Sequence, residues 1–267
     1  MTRDTTRQFV TVVAFMVTVA INAASNLLPI NGQTTAEISD RFRVFVVPAG
    51  YVFGIWGVIY VLLGVFTVYQ ALPSRRADPV LRSLGWLPAL TGVLNTAWLV
   101  LFQYEVFIAT VPTIVALLVT LIVIHRRLWA SNERWRGIRE WAIRIPFSVY
   151  LGWITIATIA NVAQTGSALG VDALGLPAAW VAAAVLVLGL AIAIRFVTRF
   201  GDIAYGLVIA WAYAGIVVKE IGTPAVAVTA GVGALAMALL CLGVATRRTG
   251  AQPSPSGPRS GRSVRRA

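Results

Sequence analysis

Long apolar runs separated by short polar segments set the pattern of this chain. The runs are Phe9–Leu28, Tyr51–Leu72, Leu84–Phe102, Phe107–Ile124, Pro146–Ala163, Leu176–Ile194, Ile203–Val218 and Pro224–Val244. Each is long enough, or nearly so, to cross about 30 Å of hydrocarbon as a helix. Helices are expected because every backbone N–H and C=O then finds its partner within the segment. The alternation of apolar and polar positions that marks barrel strands is missing. The pattern predicts an all-α fold, a polytopic membrane helical bundle of about eight transmembrane helices.

Composition supports lipid as the solvent. Of 267 residues, 58% are hydrophobic and 12% charged, against about 25% charged in an average soluble domain. The net charge of +12 would by itself suit nucleic acid or a membrane surface. Its distribution decides between them. With a cytoplasmic N-terminus, the inner segments hold Arg3 and Arg7, then Arg75, Arg76 and Arg82. They continue with six arginines from Arg126 to Arg144, then Arg195 and Arg199, and end with six in the tail from Arg247 onward. The outer segments hold only Arg41, Arg43 and Lys219, while the acidic residues divide evenly. This alternation is the positive-inside signature. It places both termini in the cytoplasm and accounts for the charge without nucleic acid.

Arg3 and Arg7, the apolar stretch after them and Asn22-Ala23-Ala24-Ser25 also resemble a cleavable signal peptide, whose removal would leave seven spans. The tail 249–267, rich in Ser, Pro, Gly and Arg, is expected to be disordered beside anionic lipid headgroups. Cys241 has no second cysteine to pair with, and His125 is the single histidine. A metal centre built on histidine or cysteine clusters is not expected. No Ser-His-Asp set or phosphate loop is visible, so the expectation is a protein that is not an enzyme. Asp202 and Glu220 flank the seventh span at its two ends, too peripheral for a proton relay.

Polar side chains within spans usually face another helix or a cavity. Here they gather in the first five spans. Asn22 and Asn26 share a helical face, as do Asn95 and Trp98. Tyr150, Trp153, Asn161 and Gln164 fall roughly on one face of the fifth span. Together they could line an aromatic pocket with a few amides to orient a ligand; equally, the asparagines could be interhelical glue and the tryptophans interface anchors. Trp129, Trp135 and Trp141 lie in the basic segment after the fourth span, where an interfacial amphipathic helix is one reading. Spans six to eight hold no comparable cluster.

Three motifs carry a resemblance. They are Pro48-Ala49-Gly50-Tyr51-Val52-Phe53-Gly54 with Trp56, Tyr60 and Gly64; Leu94-Asn95-Thr96-Ala97-Trp98 with Leu101 and Phe102; and Pro146-Phe147 with Trp153, Ala157 and Asn161. Over about residues 8–165 they resemble the TspO/MBR family of tryptophan-rich sensory proteins and the mitochondrial translocator protein. The second motif fits L-N-x-x-W-x-x-L-F at every fixed position. In the first, Tyr51 stands where the family has tryptophan, Trp56 comes one residue sooner, and the loop Pro29–Val47 has no tryptophan. The resemblance implies a five-helix membrane unit, with a retained first helix, that binds hydrophobic ligands such as porphyrins. The pocket is implied to open near the first loop, which would act as a lid. Carried over by position, the implied ligand-binding residues are Asn95 and Trp98, then Tyr51, Trp56, Tyr150, Trp153 and Asn161.

The expected organisation is a TspO/MBR-like unit at 1–165, three additional helices at 166–248 and the basic tail at 249–267. The expected function is binding of a hydrophobic, planar, tetrapyrrole-like molecule, held without a covalent bond, by a sensor, regulator or carrier. Its expected setting is a bacterial inner or plasma membrane. Membrane lipid and a second copy in a homodimer are the other expected partners. The alternative is a secondary transporter of a small solute, although the halves show no convincing internal repeat. A retinal Schiff base is disfavoured, because Lys219 sits at a helix end beside Glu220.

Overall fold

The computed structural model describes residues 2–28, 30–131, 133, 135–171 and 176–250. Its helices are α1 (Arg3–Leu27), α2 (Thr35–Asp40), α3 (Ile55–Ala71), α4 (Pro79–Leu84), α5 (Leu87–Gln103), α6 (Phe107–Ala130), α7 (Gly137–Arg139), α8 (Ile145–Ala168), α9 (Ala178–Phe200), α10 (Ile203–Lys219) and α11 (Pro224–Gly250). A 3₁₀ turn, Gly50–Gly54, leads into α3, and a π turn, Glu140–Arg144, leads into α8. No strand occurs among the described residues. The tail from 251 onward lies outside them.

Local chemistry sets several boundaries. Asp78 caps α4, its Oδ1 accepting the N–H groups of Val80 and Leu81, and Pro79 follows at the first helical position, where a missing N–H costs nothing. The expected single span from Leu84 is broken at Gly85. That residue has φ +58 and ψ −125, a conformation open to glycine alone. The turn between α9 and α10 needs only two residues: Gly201 in the left-handed region ends one helix, and Asp202 caps the next through Tyr205 N–H.

Among the described residues, six segments are long and apolar enough to cross a membrane, and α5 and α10 are shorter apolar helices of 17 residues. Large apolar side chains point outward along them, including Val58, Val61, Val65 and Val68 on α3 and Val228, Val232, Leu235 and Leu239 on α11. Such faces suit hydrocarbon and not water. The molecule is a helical membrane bundle.

Contacts join α1 to α3 and α5, α5 to α6, α6 to α8, and α8 to α3. They close a five-helix ring in the order α1–α3–α8–α6–α5. Helix α10 packs on α8 from outside, and α9 and α11 pack on α10 and on each other. Helix α8 is therefore shared by both groups. It is the most buried of the six long spans, and Phe147, Tyr150 and Trp153 are among the largest fully enclosed side chains. Gly152 lets α10 approach it: a Cβ there would lie 3.0 Å from Tyr205 O and from Val208 Cβ.

Charged segments meet at one end of the bundle. Arg82 pairs with Asp4, Arg7 donates to Arg76 O, Arg127 to Ser83 O, and Arg139 pairs with Asp78 at 2.6 Å. At the other end Arg41 pairs with Glu105 at 2.8 Å, and Asn31 donates to Gln103 O. The alternating segments of the sequence thus sort to opposite ends.

Two residues differ from their expected settings. Trp129 belongs to the last turn of α6, where it stacks on His125 at 3.8 Å and donates to Phe200 O. Asp202 is not peripheral in packing terms, at 2% exposed. Its Oδ2 meets His125 Nε2 at 3.2 Å and accepts from Ser148 Oγ at 2.7 Å, tying the start of α10 to α6 and α8.

Candidate functional site

A cavity of about 220 Å³ opens inside the five-helix ring, at the end that carries α2. Asn22 and Ser25 reach it from α1, Trp56 and Tyr60 from α3, and Trp98 and Phe102 from α5. Trp153, Ala157, Ala160, Asn161 and Gln164 line it from α8. Thr35 and Ser39 of α2 and the stretch from Val47 to Phe53 complete it.

The walls are aromatic. Trp56 stacks on Tyr60 at 5.5 Å and meets Trp153 edge-on at 6.2 Å. Phe53 meets Trp153 edge-on at 5.5 Å, and Trp98 stacks on Phe102 at 5.3 Å. Ala157 and Ala160 leave the room that these rings surround. Edge-to-face packing orients Phe53, Trp56 and Trp153 by the ring quadrupole.

Amides form the polar part. Asn22 Nδ2 donates to Asn95 Oδ1 at 3.0 Å, joining α1 to α5. Trp98 Nε1 donates to Asn161 Oδ1 at 3.4 Å, and Asn161 Nδ2 donates to Thr110 Oγ1 at 3.0 Å. Three buried atoms of lining residues have no protein partner: Trp153 Nε1, Tyr60 OH and Thr35 Oγ1. Buried polar atoms are nearly always paired. No charged side chain lines the cavity among the described residues.

The first loop folds over this end. Thr34 and Glu37 form a capping box, with Glu37 Oε2 accepting from Thr34 N–H at 2.7 Å and Thr34 Oγ1 accepting from Glu37 N–H. The backbone N–H of Thr34, followed by its hydroxyl, holds the Glu37 carboxyl below its ordinary range. Ile38 seats α2 against Phe102 and Phe107, and Gln164 donates to Ser39 O.

Of the residues singled out from the sequence, Asn22, Trp56, Trp98, Trp153, Asn161 and Gln164 line the cavity. Asn95 lies behind its wall, 1% exposed and bonded to Asn22. Tyr150 lies behind Trp56, edge-on at 6.0 Å. Tyr51 is half exposed on the outside, edge-on to Trp211 of α10. Side-chain detail of Asn26 lies outside the described residues. Sequence reasoning passed over Ser25, Phe53, Thr35 and Ser39. Thr34-Thr35-Ala36-Glu37 is a capping-box signature that would have found α2.

Fold and cavity together define a helical membrane protein with an internal aromatic cavity. The model for the TSPO-like protein family matches residues 8–243, so the chain belongs to that family. The match runs through α9 and α10 and most of α11, beyond the five spans that carry the sequence motifs. No curated protein and no solved structure matches the chain.

Proposed function

We propose that this protein is a receptor or carrier for an uncharged, flat, hydrophobic small molecule, bound inside the five-helix ring of residues 1–165. The observation that carries this reading is an aromatic cavity, lined by no charged side chain among the described residues, whose Trp153 Nε1 and Tyr60 OH lack protein partners. A guest with a carbonyl, ether or ring nitrogen would bring an acceptor for such a donor while its faces pack against Trp56 and Trp98. An ionic guest would lose hydration with no countercharge to replace it.

Size bounds the guest further. Pockets for drug-sized ligands run to about 300–1,000 Å³, so 220 Å³ favours a body of two or three fused rings. A tetrapyrrole would insert one edge and leave the remainder at the mouth beneath α2. Helix α2 is the lid in this reading. The basic end faces the cytoplasm by the positive-inside rule, in a bacterial inner or plasma membrane. Binding, and not catalysis, is the role assigned to the cavity.

The test is a titration of protein in mild detergent, followed by tryptophan fluorescence. The uncharged three-ring probe 1-aminoanthracene is expected to quench saturably, protoporphyrin IX more weakly, and Trp98→Ala to weaken both. No saturable quenching by either probe would remove the proposal. Saturable flux of the probe into proteoliposomes would make the protein a carrier, and binding without flux a receptor.

A further inference from the structure

The cavity wall from Val47 to Phe53 is the stretch that leads from the first loop into α3. Val47 N–H donates to Val44 O at 3.3 Å, Pro48 has no N–H to give, and Val52 N–H donates to Ala49 O at 3.0 Å where the 3₁₀ turn Gly50–Gly54 begins. Its outer side rests on α10. The Ala49 N–H donates to Gly215 O at 3.2 Å. Trp211 Nε1 donates to Val52 O at 3.4 Å. Val52 is fully buried against α10, and Gly215 makes the fit: a Cβ there would overlap the Val52 Cγ2 methyl and lie 3.2 Å from Pro48 Cβ. On the inner side of the same stretch, Pro48, Gly50 and Phe53 line the cavity.

Helix α10 is itself well fixed. Asp202 ties its start to His125 and Ser148. Gly152 brings it against α8, and Tyr213 OH donates to Leu186 O of α9 at 2.6 Å. A wall that bonds to and packs on a rigid helix along its outer side takes its position in part from that helix. In lipid the backing also matters energetically, because an unpaired backbone N–H in hydrocarbon costs several kcal/mol.

We infer that α10 sets ligand affinity from outside the cavity, with Gly215 and Trp211 as positioning residues for the wall from Pro48 to Phe53. This gives α9, α10 and α11, which hold no cluster of their own, a part in binding: they brace the wall of a cavity they do not line. The inference rests on reading that cavity as a ligand site.

The experiment measures the dissociation constant of 1-aminoanthracene, together with the unfolding midpoint, for the whole protein and three variants. Gly215→Ala pushes Val52 and its neighbours toward the cavity, and binding is expected to weaken by about tenfold. Adding Val52→Ala removes the overlapping methyl without touching a lining side chain, and Gly215→Ala/Val52→Ala is expected to recover most of the affinity. Trp211→Phe keeps the ring and deletes one bond to the wall, with an expected weakening of about threefold.

A purely structural role for Gly215 would lower the midpoint without moving the dissociation constant, and that result overturns the inference. So does a loss in Gly215→Ala that Val52→Ala fails to relieve. If Gly215→Ala does not fold, Trp211→Phe decides, and probe affinity equal to the parent's overturns the inference. A parent protein that does not bind the probe at all overturns the cavity reading first, and this inference with it.

Discussion

Asp202 offers a quantitative test of how α10 is anchored. Its carboxylate is 2% exposed and accepts from Ser148 Oγ at 2.7 Å and Tyr205 N–H at 3.2 Å, with His125 Nε2 at 3.2 Å. Asp202→Asn keeps the shape and one acceptor oxygen for the helix cap. It removes the negative charge and turns an NH₂ toward partners that approached an oxygen. Bonds to a charged group contribute about 1.5–3 kcal/mol each, and neutral ones about 0.5–1.5. With two side-chain bonds weakened or inverted, the expected loss is about 2–4 kcal/mol. Ser148→Ala removes a single bond to the carboxylate and should cost about 1.5–3 kcal/mol. Unfolding by dodecyl sulfate in mixed micelles, followed by tryptophan fluorescence, measures both. The two losses should be less than additive, since the variants act on one bond. A shift under about 0.5 kcal/mol for Asp202→Asn, the range of ordinary surface changes, would refute the anchoring argument.

Other consequences can be checked in the same assay. A Cβ at Gly92 would lie 2.9 Å from Thr18 Oγ1 and 3.2 Å from the Ala14 backbone carbonyl; Gly92→Ala should therefore force α1 from α5 and cost about 1–3 kcal/mol. Asp78 sits partly buried: burial pushes its carboxyl up, but the Arg139 guanidinium and the N–H groups of Leu81 and Val80 outweigh it and hold the pKa below the ordinary 3.8. A lowered folded-state pKa means stability that is present above about pH 3.8 and lost as pH falls through the folded value. Asp78→Asn should flatten that acid limb and lower stability at neutral pH, and an unchanged acid limb would contradict the assignment.

Much of the bundle was legible because hydrocarbon demands long apolar runs and charges sort by side. The charged segments around Arg7, Arg82, Arg127 and Arg139 do meet at one end, as their alternation along the chain requires. Packing faces were harder to read. In water an apolar stripe marks the core, but in lipid Val61 facing hydrocarbon and Ile59 facing a neighbour are equally apolar. Only polar and small residues break that symmetry. Asn22, Asn95 and Asn161 therefore pointed toward the cavity region, whereas Phe53 looked like any other apolar residue. Tyr51 shows the reverse case. Its motif position suggested the pocket, but the 3₁₀ turn Gly50–Gly54 turns Phe53 inward and leaves Tyr51 against Trp211. The pairing of His125 with Asp202 joins residues 77 apart, which no local pattern encodes.

In the proposed function the ligand sits in the cavity between Trp56, Trp98 and Trp153. Ala157→Phe puts a phenyl ring into that space from α8 while leaving every other lining residue in place. Titration of parent and variant with 1-aminoanthracene, at matched folded concentration, tests the claim directly. Saturable binding by the parent that is lost in Ala157→Phe, with the unfolding midpoint kept or raised, is the predicted result. Equal binding by both proteins would place the ligand elsewhere and contradict the account.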